Sequence, residues 1–116
     1  MQVRADNITQ KYTEVECEDE WEFNAPNNFV VKNVHTGEIV TEVKFQKGPI
    51  KENGINGCSN EDLVAMIQKR IEGFQDSKYR CDENQEGLYH LDMFLKAMRK
   101  RTNKREERGV EGTHEI

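Results

Sequence analysis

The sequence predicts an α+β fold: a small antiparallel sheet in the N-terminal part, then an antiparallel two-helix hairpin, the whole assembled as a homo-oligomer. Three observations carry this. Residues Phe29 to Phe45 alternate about a tight turn that contains glycine. From Asn60 to Arg108 apolar residues recur every three or four positions instead, with one break. Hydrophobic and charged residues each make up 34% of the 116 residues, a thin core that further copies of the chain would complete.

Residues 1–25 form an acidic segment, with Asp6, Glu14, Glu16, Glu18, Asp19, Glu20 and Glu22 against Arg4 and Lys11. Met1 to Gln10 shows no period. Thr13, Val15 and Cys17 alternate with Tyr12, Glu14 and Glu16, a candidate extra strand at the sheet edge whose glutamates discourage pairing with other chains. Trp21 and Phe23 share a face, and the stretch around Pro26 reads as a connection.

Residues 26–58 hold the β region and a loop containing glycine. Strands Phe29–Val34 and Glu38–Phe45 flank His35-Thr36-Gly37, where glycine supplies the positive φ of a tight turn. Ile39, Thr41, Val43 and Phe45 are expected on one face, Glu42 and Lys44 on the other. The loop from Ile50 to Ser59 carries Gly54 and Gly57 just before a helix. It is either a plain turn or a place where backbone N–H groups approach an anion.

Residues 59–108 form the hairpin. Ser59 with Asp62 has the spacing of a capping box, which satisfies free N–H groups at a helix start. Leu63, Ile67, Ile71 and Phe74 lay a stripe along the first helix. The pattern breaks at Gln75-Asp76-Ser77 and resumes with Leu88, Leu91, Leu95 and Met98, a seam fit to pack on the first helix. From Lys96 on it turns basic: Lys96, Arg99, Lys100, Arg101, Lys104, Arg105 and Arg108 stand against only Glu106 and Glu107. Arg101, Arg105 and Arg108 continue the line of Phe94 and Met98. Gly109 suits a helix-ending position, and residues 109–116 are a tail.

These features bound the function. A net charge of −5 argues against a general binder of nucleic-acid polymers, while the basic helix end suits a compact anion. Cys17, Cys58 and Cys81 are odd in number and form no CxxC, which favours a reducing cytoplasm. The polar N-terminus is unlike a signal peptide, and no apolar run approaches the ~20 residues of a membrane span. His35, His90 and His114 are scattered, so neither catalytic residues nor metal ligands are expected, and no cofactor is indicated.

Several residues keep two readings. Cations near a helix C-terminus favour the dipole by ~0.3–1 kcal/mol each, but seven in thirteen positions exceed that need. Either carboxylates offset them in an ion-pair network, or arginine forks grip phosphate with paired hydrogen bonds. Phe74 is either a core residue or a platform for a purine, and Tyr79 and Tyr89 share that ambiguity. Asn84 either faces water or reads an adenine edge or ribose hydroxyl.

The segments GINGCSNEDLVAMIQKRIEGFQ, CDEN and KRTNKREERGVEGTH resemble the helical-hairpin domain of phage anti-defence proteins that sequester nucleotide signals. That family includes inhibitors of Thoeris immunity and of cyclic-oligonucleotide immunity. The hairpin FVVKNVHTGEIVTEVKF ahead of them resembles the Thoeris branch, and the likeness covers roughly residues 26–116. The resemblance implies a dimeric or hexameric sponge in the host cytoplasm that holds a cyclic ADP-ribose isomer, and in some members cyclic di- or trinucleotides, without cleaving them. It implies that Phe74 stacks on a base, Asn84 lines the pocket, and Arg101 and Arg105 hold the pyrophosphate. It also carries binding to Arg108, Thr113 and His114 of the RGVEGTH ending. Asp82 departs from the family pattern, which has arginine there. The rival readings are a DNA-binding phage regulator that uses the basic helix, and an enzyme that degrades the signal.

Overall fold

The computed structural model describes all residues, 1–116, as two compact units, Met1–Cys58 and Ser59–Ile116. The first is a four-stranded antiparallel sheet with strands in chain order: β1 (Gln2–Val3), β2 (Thr13–Cys17), β3 (Asn28–Asn33) and β4 (Ile39–Lys44). Val15 lies opposite Val31 and Val31 opposite Thr41, while Cys17 lies opposite Phe29 and Phe29 opposite Val43. These rows form the apolar face, and the Phe29 ring meets Phe45 edge-on at 5.5 Å.

Three details correct the expectations. The opening residues are not patternless, because Gln2 and Val3 pair with Glu16 and Val15. Thr13–Cys17 is therefore an inner strand. Two residues are too short a run for any periodicity to betray. In β4 the alternation is broken: Val31 opposes Thr41 but Lys32 opposes Ile39. Val40 is the extra residue of a bulge, which puts Ile39 on the polar side with Lys32. Trp21 and Phe23 lie in a loop, 44% and 47% exposed, with Phe23 at φ 59°.

The acidic residues of this unit have local partners. Glu16 pairs with Lys32, and Asp19 lies 2.9 Å from the Met1 amine. Glu18 accepts the Asn27 and Asn28 N–H groups and the Asn28 side-chain amide. Burial pushes its carboxyl up, but the Asn28 and Asn27 bonds outweigh that and hold it below its ordinary value.

The loop after β4 contains a helical turn, α1 (Ile50–Asn53). Gly57 permits a close backbone approach: a Cβ there would run into the Phe45 carbonyl. Other N–H groups of the loop have partners within the chain, Gly54 N on Ile50 O, Asn56 N on Gln46 Oε1 and Cys58 N on Lys44 O.

The second unit holds α2 (Asn60–Gln75) and α3 (Asp82–Glu107). The capping box is formed: Asp62 N donates to Ser59 Oγ at 3.1 Å, and Ser59 N donates to the Asp62 carboxylate at 2.9 Å. Replacing Ser59 by Ala should cost about 1 kcal/mol and lower the melting temperature by a few degrees, as a thermal scan would register. The link between the helices coils into turns, Ser77 N to Phe74 O and Arg80 N to Ser77 O. It is too compact to carry the chain back along α2, so α3 runs antiparallel to it.

Half-buried positions trace the seam. In α3 they are Asn84, Gly87, Leu88, Leu91, Leu95, Met98, Thr102 and Arg105. This is the expected run, extended by residues whose polarity hid them. In α2 they include Val64, Gln68, Ile71 and Gln75. The expected stripe is thus rotated: Leu63 and Ile71 are half-buried, but Ile67 and Phe74 are 46% and 41% exposed. No hydrophobic residue in the chain is fully buried. No helix is long and apolar enough to cross a membrane.

Candidate functional site

The side chains of interest gather at the two ends of the hairpin. At the turn end, an open groove of about 450 Å³ is lined by Lys69, Arg70, Gly73, Phe74, Ser77 and Tyr79. Phe74 lies in the last turn of α2, off the seam, so its ring stays accessible. That overturns its reading as a core residue of this chain. The Arg70 guanidinium sits 5.2 Å from the ring centroid, and Lys78 is equally far from the Tyr79 ring. Aromatic faces beside cations suit a planar base with an attached anion. Arg70 escaped the sequence reading, although it stands four residues before Phe74 on the same helix face, a spacing that could have revealed it.

Asn84 sits in the first turn of α3, half-buried on the seam, so it does not simply face water. Tyr89 is 59% exposed and stacks edge-on with His90 at 5.4 Å.

The basic end divides its arginines by task. Arg101 is exposed and has no hydrogen-bond or ion-pair partner in the chain. Arg105 is half-buried, and its Nη2 donates to the carbonyls of Val110 at 3.0 Å and Thr113 at 3.1 Å. Arg108 Nη1 donates to the Ile116 carbonyl at 2.6 Å. The tail is shaped to receive them. Gly109 takes a left-handed φ of 71°, its N–H reaches Glu106 O, and Val110 N reaches Arg105 O, which closes the helix as a Schellman turn. Thr113 folds back through its N–H and hydroxyl onto Val110 O. His114 Nε2 lies 3.8 Å from Glu115.

Few carboxylates offset this end within the chain. Arg99 meets Glu106 at 3.5 Å and Lys96 meets Asp92 at 3.1 Å, both exposed pairs worth little. An ion-pair network inside the chain therefore does not explain the cluster, since Lys100, Arg101 and Lys104 take no part in one.

The structure does not bring all the expected site residues together in one chain. Arg101, Arg105, Arg108, Thr113 and His114 share the basic end, whereas Phe74 and Asn84 share the turn end. Asn84 and Arg101 are 17 positions apart on a single helix, which at ~1.5 Å per residue is about 25 Å.

Comparison with known proteins agrees with this architecture. The family model described as "Acb2/Tad1, hairpin domain" matches residues 37–103, which span β4 and most of the hairpin. The chain is also 39% identical to a protein named "Thoeris anti-defense 1" from Bacillus phage SBSphiJ7, across 93% of this chain and 94% of the relative. On a match that covers more than half its length, and a relative this similar from end to end, the chain belongs to the Acb2/Tad1 hairpin-domain family.

Proposed function

We propose that this chain is a phage anti-defence protein that binds a cyclic ADP-ribose-type immune signal in the infected bacterium and holds it without cleaving it, which blocks Thoeris immunity. Cyclic di- or trinucleotides are a second ligand class within this reading. The observation that carries it is the split site: an exposed aromatic ring among cations at one end of the hairpin, and an unpaired arginine at the other. Each end supplies half of what a cyclic nucleotide with a diphosphate needs, a stacking face and an anion grip.

A ligand about 10 Å across cannot bridge ends some 25 Å apart along α3. The two halves meet only if one copy presents its turn end to the basic end of another. The lack of any fully buried hydrophobic residue supports the same homo-oligomer, as do Ile67 and Phe94, which remain exposed on the hairpin. The energetics also favour a shared site. Nanomolar affinity needs about −12 kcal/mol, whereas one stack at ~1–3 and two arginine contacts at ~1.5–3 each supply less. Enclosure between subunits would add buried contacts to close the gap.

The test is to incubate the protein with the signal made by a TIR enzyme, denature it, and assay the released material. A sponge returns the ligand chemically intact. Recovery of hydrolysed or linearised product instead would make the protein an enzyme and overturn the proposal.

A further inference from the structure

We propose that Arg105 is the latch of the C-terminal tail, and that the closed tail and a phosphate compete for it. A guanidinium offers two edges for paired hydrogen bonds, Nη1 with Nη2 and Nε with Nη2, and both include Nη2. Here Nη2 is engaged by the Val110 and Thr113 carbonyls together. While the tail is closed, Arg105 therefore has single N–H groups to offer an anion, but no free fork.

Arg108 Nη1 ties the far end of the tail at the Ile116 carbonyl, while Arg105 alone reaches the Val110 and Thr113 carbonyls. Val110 O collects the Arg105 donor together with the Thr113 N–H and hydroxyl, and the Glu115 N–H rests on Thr113 Oγ1. Arg105 thereby fixes where Thr113 stands, as a positioning residue. Arg101, one turn earlier and unpaired, is the grip available at first encounter. An anion that then recruits Arg105 through a full fork opens the turn and releases Thr113 to move over the bound group. The relevance to signal capture rests on the function proposed above, but the latch itself does not.

Two measurements on the full chain without nucleotide test the latch. Hydrogen exchange should show the Thr113 and Glu115 amides opening roughly tenfold to a hundredfold faster in Arg105→Ala, with Arg105→Lys also loosened and the α3 amides from Leu91 to Met98 unchanged. Unchanged tail exchange in both variants would overturn the latch. Gly112, at a φ of 77°, gives a second route. Gly112→Val strains that turn and should open the tail while leaving Arg105 in place. Its affinity for inorganic pyrophosphate should then rise several-fold over wild type, and no gain would overturn the competition. Neither measurement uses cyclic ADP-ribose, so the latch and the sequestration reading can fail separately.

Discussion

Replacing Arg101 and Arg105 together by alanine should weaken binding of a cyclic ADP-ribose isomer by two to four orders of magnitude and leave both helices formed. A hydrogen bond to a charged group contributes about 1.5–3 kcal/mol, so two arginines amount to about 3–6 kcal/mol. Arg101 is exposed and unpaired, so its removal costs the fold nothing that the chain shows. Arg105 holds only tail carbonyls, so its loss frees residues 110–113 rather than α3. Calorimetry gives the affinity and circular dichroism the helix content. Arg101→Lys separates charge from geometry: lysine keeps the point charge but loses the planar fork, so an intermediate loss is expected. Affinity undiminished in the double variant would remove the basic end from the site.

Phe74→Ala should weaken the same ligand by about five- to 150-fold, the ~1–3 kcal/mol of a base stacked on an aromatic ring. The change should be nearly silent in helix content, because Phe74 is 41% exposed and lies off the α2–α3 seam. Phe74→Trp should retain most of the affinity, since it keeps a stacking face, whereas Phe74→Leu should behave like alanine. If the ring instead served the fold, leucine would rescue the protein, and alanine would melt the hairpin before it affected binding.

The hairpin was legible where local chemistry decides structure. Ser59 and Asp62 announce their cap through spacing, and Leu88, Leu91, Leu95 and Met98 announce their seam. Gly109 marks the end of α3 because only a left-handed residue fits the turn that follows. What escaped the sequence depends on contacts between distant residues. Val3 becomes a strand residue only because Val15 is there to pair with it, and the bulge at Val40 is a property of two strands at once.

The site divides in the same way. The residue types for a stack and an anion grip can be read from Phe74 and the arginine row. Their separation cannot, because it follows from the direction in which α3 leaves the turn. Nor can sequence spacing distinguish Arg101 from Arg105, which lie one turn apart on one face. Only the fold-back of the tail gives the second arginine two carbonyls to hold.

Isothermal titration of the purified protein with cyclic ADP-ribose isomers and cyclic oligonucleotides bears most directly on the claim that this hairpin holds a nucleotide signal between copies of itself. Saturable tight binding of a cyclic ADP-ribose isomer, at no more than one ligand per chain, is the predicted result. A flat titration with every one of these nucleotides would contradict it.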